Sequence, residues 1–279
     1  MRIALVANAR SGVGVDVTTL ADTLRVEGAD VEVHPFEALE GLELAGVDRL
    51  AVAAGDGGVG MTGARAAAAG IPLAVLPSGT ANDFAGFLGI PDDLDEAAAL
   101  AADPQARTRT IDVGYSGRTP FVNAASCGMA VAATENATPL KKLLGPLAYA
   151  VGAVKAGVTE EAKRYRVVVD GEEVHDGEAW QVIVSGTGAF GSGAKIEPAD
   201  PTDGQLDVTV LHGGSRTALP LRAWGLKQGG LLEQDGVTHY RGRHIVVEGA
   251  ESWNVDGELC EQDDCGRFHL DGTVQVVVP

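Results

Sequence analysis

Leu50-Ala51-Val52-Ala53-Ala54-Gly55-Asp56-Gly57-Gly58-Val59-Gly60 is the stretch that decides the fold. Five small apolar residues run into a glycine turn, and an alanine-rich helical run, Ala64 to Ala69, follows. A short buried strand ending in a glycine turn before a helix is how an open α/β sheet presents a ligand at the carboxyl edge of a strand. Glycines let backbone N–H groups approach a phosphate, and the start of a helix adds positive potential. Asp56 is a poor direct ligand for phosphate and suits work through water, a metal or a hydroxyl. Gly55-x-Gly57-x-x-Gly60 also matches the dinucleotide fingerprint, so this turn alone leaves the ligand open.

Outward from that turn the chain alternates strand and helix. Ile3 to Ala7 predicts a first strand, followed by the polar loop Asn8 to Gly14. Val17, Leu20, Ala21 and Leu24 recur at helical spacing and stop at Gly28; Val31 to Val33 reads as a second strand. Ile71 to Leu76 is a fourth strand that breaks at Pro77. Such alternation implies a parallel sheet with right-handed crossovers. Pro77-Ser78-Gly79-Thr80-Ala81-Asn82-Asp83-Phe84-Ala85 also ends a buried strand, so it is expected beside the Gly55 turn. Two polar glycine loops on one sheet edge point to a nucleotide. The dinucleotide fold fits less well, because its glycine turn follows the first strand and here the turn follows the third. No Gly-Lys-Ser/Thr occurs anywhere, which excludes a Walker A loop.

From about Arg107 strand-like segments and glycine turns dominate, which predicts an antiparallel β domain. The expected division is residues 1–112 and 113–279. Leu140 to Val158 carries Leu140, Leu143, Leu144, Leu147, Val151 and Val154 at helical spacing, the pattern of an amphipathic helix packed on the second sheet. Leu270 to Val278 supplies a last strand to close that domain.

The 279 residues hold 39 acids against 21 bases, only six of them Lys, for a net charge of −18. Such a surface repels nucleic acid and lacks a polybasic membrane anchor. It is the surface a protein from a high-salt cytoplasm carries, and a halophilic source is the expectation. No run of about 18 apolar residues occurs and the chain enters a strand from Met1 without a secretion signal, so a cytoplasmic protein with no membrane span is expected. Cys260 and Cys265 are spaced too widely for a CxxC and lack a second pair for zinc; a buried or free thiol pair is expected.

The two glycine motifs together resemble the diacylglycerol kinase catalytic-domain family, soluble lipid kinases related to sphingosine kinases. The family shows Gly-Gly-Asp-Gly-Thr and then Pro-x-Gly-Thr-x-Asn-Asp-Phe-Ala. The second motif is intact at Pro77 to Ala85; in the first, Ala54 stands for the leading Gly and Gly58 for the Thr, and Gly60-Met61 replaces the family's Asn-Glu. Thr110 to Gly114 with Phe121 to Gly128 resembles the family's passage into its second domain, and Ser185 stands where the family has Asn.

The resemblance implies an open parallel α/β, NAD-kinase-like N-terminal domain, an antiparallel β-sandwich after it, and an active site in the cleft between them. It implies ATP and Mg²⁺ as cofactors and, as substrate, a lipid at the membrane surface. Gly55, Gly57 and Gly58 would cradle phosphates with Gly79 and Asn82 on the second loop, Thr80 would add a hydroxyl, and Asn8 and Ser11 would add contacts. Asp56 would organise the catalytic Mg²⁺ through water. Asn254-Val255-Asp256-Gly257-Glu258 resembles the family's Asp-Gly-Glu signature, which makes Glu258 the general base with Asp256 beside it. Asp170-Gly171-Glu172 is a decoy of the same pattern, read as an ordinary hairpin. Pro198 to Asp207 resembles the family's cation loop and implies Asp203 as a structural Mg²⁺ ligand with carbonyls near Asp200 and Gln205. The acceptor is open between diacylglycerol and an archaeal ether lipid. Nucleotide binding without transfer and a soluble acceptor such as NAD are the alternatives, and a homodimer is also left open.

Overall fold

The computed structural model describes residues 1–7, 16–129, 131, 160–189, 196, 199–228 and 230–279. They form two compact units: Met1–Val113 with Asp271–Pro279, and Gly114–Leu270. Asn8, Ser11 and the helix expected over Leu140 to Val158 lie outside the described residues.

The first unit is an open parallel sheet. Strands β1 (Arg2–Ala7), β2 (Asp30–Pro35), β3 (Arg49–Ala54) and β4 (Leu73–Pro77) stand in the order β4-β3-β1-β2. Every residue of β3 and β4 is buried, as a strand covered on both faces requires; all are apolar except Arg49, whose guanidinium donates to the Ala101 carbonyl at 2.8 Å. Leu50, Val52 and Leu76 are each fully buried, worth about 1.5–3 kcal/mol apiece in area removed from water. The register pairs Ala7 with Ala53 and Ala54 with Pro77, so the carboxyl ends of β1, β3 and β4 reach one sheet edge together. The strand order reverses beside β1, and ligands of open sheets bind at such a reversal.

Helix α1 (Val17–Val26) is capped by Asp16, which accepts from the Thr18 N–H at 3.0 Å. Helix α2 (Asp56–Ala69) begins at Gly55, which offers no side-chain cap, and stops at Gly70, whose left-handed backbone (φ 67°) places its N–H on the last carbonyls. Helix α3 (Asp83–Leu88) and helix α4 (Leu94–Ala102) follow β4. The chain leaves this unit along β5 (Arg107–Ser116).

The second unit is antiparallel. A short hairpin joins β5 to β6 (Thr119–Phe121), and β7 (Ala124–Gly128), β8 (Lys163–Val169), β9 (Glu172–Ser185), β10 (Leu206–His212), β11 (Val237–Gly242), β12 (His244–Glu248), β13 (Trp253–Val255) and β14 (Glu258–Cys260) follow. Their pairing runs β14-β13-β7-β9-β8-β12, with β10 on β9 and β11 on β10. Phe121, Tyr165, Trp253 and Phe268 share one buried cluster. The Trp253 and Phe268 rings meet edge-on, 4.8 Å between centroids. Ala124, Ile183, Leu211 and Leu219 belong to a separate buried cluster, and Leu219 opens helix α5 (Leu219–Gln228).

The final strand corrects the expected boundary. Strand β15 (Arg267–Val278) begins on β12, pairing His269 with His244, but its far end lies beside β4, pairing Val276 with Leu73. Val274 and Val276 are buried there, so the last nine residues complete the first unit rather than close the second.

Candidate functional site

The two glycine loops meet backbone to backbone. A Cβ on Gly79 would lie 2.5 Å from the Gly55 Cα, and one on Gly55 would lie 3.1 Å from the Gly79 Cα. Any side chain at either position forces the loops apart. Asn82 shapes the second loop: its Oδ1 accepts the Gly79 N–H at 2.8 Å, and its Nδ2 donates to the Gly79 carbonyl at 3.3 Å. Asn82 itself sits at φ 52°, a left-handed conformation that Asn tolerates better than most side chains. Thr80 is exposed at the tip.

Asp56 ties the loops together. Its carboxylate accepts the Phe84 N–H at 2.9 Å and the Asp83 N–H at 3.2 Å, so the first residue of α2 caps the first turn of α3. This places Asp56 as the residue that fixes the second loop against the first. The first N–H groups of α2 have no intrahelical acceptors, and Gly57 and Gly58 leave them uncovered by side chains. A helix start of that kind has the N–H donors and positive potential that suit an anion.

Ala54 and Gly58 are linked. A Cβ on Gly58 would fall 2.5 Å from the Ala54 Cβ and 3.3 Å from Phe36 Cε2. Only one of positions 54 and 58 can carry a side chain on this backbone. The two departures from the family motif are therefore one exchange: the methyl at 54 occupies the space the residue at 58 gives up. Phe36, which no sequence signal connects to the turn, lies against it. Met61 is 46% exposed.

Asp256 and Gly257 form the turn between β13 and β14, both with positive φ (45° and 90°). The Asp256 carboxylate accepts the N–H groups of Val122 (2.8 Å), Asn123 and Ala124 (both 3.0 Å), and its own N–H donates to the Ala124 carbonyl. Asp256 is thus a positioning residue that staples the Asp-Gly-Glu turn to the start of β7. Asp170 does the same elsewhere. It also has positive φ (49°), and its carboxylate accepts the N–H groups of Arg243 and His244. The two Asp-Gly-Glu segments share one structural device, which is why sequence alone separates them poorly. Glu258, two residues on, opens β14 with its backbone paired to Val255, and its exposed carboxylate makes no hydrogen bond or ion pair to a described residue.

The acidic loop is already matched to a cation from the protein. Asp203 accepts the Gln205 N–H at 3.0 Å and the guanidinium of Arg241, whose Nε lies 3.2 Å from Asp207. The bond to Asp203 raises the Arg241 pKa above its ordinary value, which keeps the cation in place. Asp207 is fully buried, with His239 Nε2 at 2.6 Å. Asp200 instead accepts from Thr202. No group of three metal-ligating side chains occurs among the described residues, and a divalent cation on Asp203 would have to compete with Arg241. The structural Mg²⁺ that the resemblance implied would be held by one carboxylate and backbone carbonyls, and would share Asp203 with Arg241.

The cysteines differ from expectation too. Cys260 and Cys265 form a disulfide that closes the loop after β14, and the Ser116 hydroxyl donates to the Cys265 carbonyl at 2.6 Å. Cys127 is the free thiol; burial pushes it up to about 12, so it stays protonated and unreactive near neutrality. Among the described residues no helix is long and apolar enough to cross a membrane.

Residues 2–116 match the family model described as the diacylglycerol kinase catalytic domain, and residues 123–267 match the YegS C-terminal NAD kinase beta sandwich-like domain. A Chromohalobacter salexigens protein named "Probable lipid kinase YegS-like" is 31% identical over 75% of this chain and 70% of its own length. A Mycobacterium tuberculosis protein named "Diacylglycerol kinase" is 29% identical over 81% of this chain and 75% of its own. Among solved structures, a diacylglycerol kinase from Bacillus anthracis superposes with a TM-score of 0.78 at 23% identity, covering 100% of this chain and 97% of that one. An NAD kinase from Archaeoglobus fulgidus in complex with ATP reaches 0.56 at 14% identity, covering 99% of this chain and 93% of that one, which shows a shared fold. Both domains of the pattern are present in order, and the chain belongs to the diacylglycerol kinase family of lipid kinases.

Proposed function

We propose that the protein transfers the γ-phosphoryl group of MgATP to the hydroxyl of a lipid alcohol, diacylglycerol or a related ether lipid. The observation that carries this reading is the contact of Gly55 with Gly79, locked by Asp56 and Asn82 at the carboxyl edge of the sheet. Phosphoryl transfer runs through a loose transition state in which the protein mainly positions groups and neutralises charge. The N–H groups at the start of α2 hold phosphate oxygens, with Thr80 adding a hydroxyl. Mg²⁺ enters with the nucleotide and offsets phosphate charge. Glu258 accepts the acceptor's proton, and an exposed carboxylate is basic enough because that proton leaves late. Asp256 sets where Glu258 stands.

The test is transfer from labelled ATP in the presence of Mg²⁺, with diacylglycerol in detergent micelles and NAD offered separately. Label is expected in the lipid. Label in NAD instead would move the protein to a soluble acceptor, and tight ATP binding without transfer to either would make it a binding protein.

A further inference from the structure

Glu258 stands between two anchors. On one side Asp256 holds the turn, its carboxylate bound to the N–H groups of Val122, Asn123 and Ala124. On the other side, two residues beyond Glu258, Cys260 is joined to Cys265. Strand β14, which carries Glu258, is 3 residues long and ends the sheet, pairing with β13 alone. So short an edge strand is held weakly by backbone pairing, and a covalent tie at its last residue decides where it lies.

Cys265 is the fixed end of that tie. Its carbonyl accepts the Ser116 hydroxyl at 2.6 Å, and its N–H donates to the Gln262 carbonyl at 3.1 Å. Its neighbours are pressed against other strands. A Cβ on Gly117, in the β5–β6 hairpin, would lie 2.6 Å from the Asp264 carboxylate, and one on Gly266 would strike the Val247 carbonyl of β12. The Val247 N–H donates to the Gly266 carbonyl at 2.8 Å, and the Gly117 N–H to that of Arg267 at 2.7 Å. Cys260, by contrast, lies between exposed Leu259 and exposed Glu261. The disulfide carries the rigidity of β12 and the hairpin to the end of the strand that presents Glu258.

We propose that the Cys260–Cys265 disulfide positions the Glu258 carboxylate and that its reduction switches turnover down, which rests on the reading of Glu258 as general base. The reductant is a dithiol. Its thiolate attacks the sulfur of Cys260, the more exposed cysteine at 7% against 1% for Cys265. The S–S bond breaks, and Cys265 leaves as a thiolate that takes up a proton. The second thiol of the reagent then displaces Cys260, which also ends protonated, and the reagent becomes a disulfide. Two electrons and two protons pass to the protein. Cys127 is a buried thiol in both states and takes no part. With the tie cut, Glu258 keeps the Asp256 anchor and loses the other. A reacting group displaced by about 1 Å loses about 10²-fold in rate, and a strand still paired to β13 loses part of that.

The test compares lipid phosphorylation by oxidised protein, by protein reduced with dithiothreitol and by reduced protein reoxidised after the reagent is removed. Thiol alkylation and mass spectrometry follow the bond. Expected are a fall in kcat of about tenfold on reduction, a KM for ATP within about twofold of the oxidised value, and recovery on reoxidation. Cys260→Ser should match the reduced protein and not respond to dithiothreitol. In Glu258→Gln, whose residual turnover lacks the base, reduction should change nothing further.

Equal kcat in the oxidised and reduced protein overturns the proposal. So does a reduction effect that persists in Cys260→Ser, or one of the same size in Glu258→Gln, which would make the bond a general support of the fold. Hydrogen exchange separates the tie from the kinase reading. Reduction should speed exchange of the β14 amides and leave those of β9 protected. Faster exchange at β14 in a protein that phosphorylates no lipid in either state sinks the kinase reading and upholds the tie. Unchanged exchange and unchanged kcat in an active kinase do the reverse.

Discussion

Gly58→Ala, Ala54→Gly and the double variant form a cycle whose outcome follows from one distance. The Cβ added at 58 would stand 2.5 Å from the Ala54 methyl, more than 1 Å inside ordinary carbon contact of about 3.5–4.0 Å. Overpacking of that kind costs about 1–3 kcal/mol, and replacing glycine inside a helix returns about 1 kcal/mol. Gly58→Ala alone should therefore destabilise the protein by about 1 kcal/mol. Ala54→Gly removes a buried methyl, about 0.8 kcal/mol, and loosens a strand by a further ~0.5–1 kcal/mol, for about 1.5 kcal/mol in all. In the double variant the clash is gone and the methyl at 58 fills the space left at 54, so the loss shrinks to about 0.5 kcal/mol. The sum of the single changes exceeds the double by about 2 kcal/mol, well outside the additivity of independent sites. Urea unfolding of the four proteins measures this directly. Additivity within about 0.5 kcal/mol would refute the claim that positions 54 and 58 share one space. The same geometry predicts that Gly58→Thr restores a family-like motif only together with Ala54→Gly.

Three further outcomes follow from the site. Asp256→Asn and Asp170→Asn should each lower stability by about 2 kcal/mol, because both carboxylates hold backbone N–H groups, but only Asp256→Asn should reduce phosphate transfer; chemical denaturation beside a transfer assay checks the contrast. Arg241→Met should cost about 2–3 kcal/mol by leaving buried Asp207 with only His239 beside it, which urea unfolding measures; a Mg²⁺-dependent rise in melting temperature that Asp203→Asn abolishes would establish a cation on this loop. His212 has a lowered pKa, chiefly from burial and then from His175 and Arg222, so the folded state resists its protonation. Its contribution to stability is complete above its ordinary value of 6.5 and is lost as pH falls from there toward the lowered value. Melting temperature against pH should show that fall below 6.5, and His212→Asn should flatten it.

The elements legible in the sequence are those fixed by local pattern. Leu50 to Ala54 could be read as a doubly covered strand because every residue is small and apolar, and Gly55 and Gly79 could be placed side by side because both follow neighbouring parallel strands. Details that depend on contacts between distant segments were not legible. Nothing near Asp203 announces that Arg241, 38 residues later, would occupy its carboxylate. The Asp256 turn and the Asp170 turn use the same residues for the same backbone purpose, so only their surroundings tell them apart. The end of β15 reads as one more apolar strand, and the sheet it joins is set by the burial of Val274 and Val276 beside β4 rather than by its own sequence. Ala54 and Gly58 look like two separate losses until the Cβ positions show that they exclude each other.

The most direct test of the lipid-kinase account is the turnover of Glu258→Gln with saturating MgATP and diacylglycerol micelles. The Glu258 carboxylate is exposed and engages no described residue, so the substitution should leave the melting temperature and ATP affinity at wild-type values. Loss of a general base predicts a fall in kcat of about 10²–10⁴-fold. A kcat within a few-fold of wild type would contradict the assignment of Glu258 and require another group to take the lipid hydroxyl's proton.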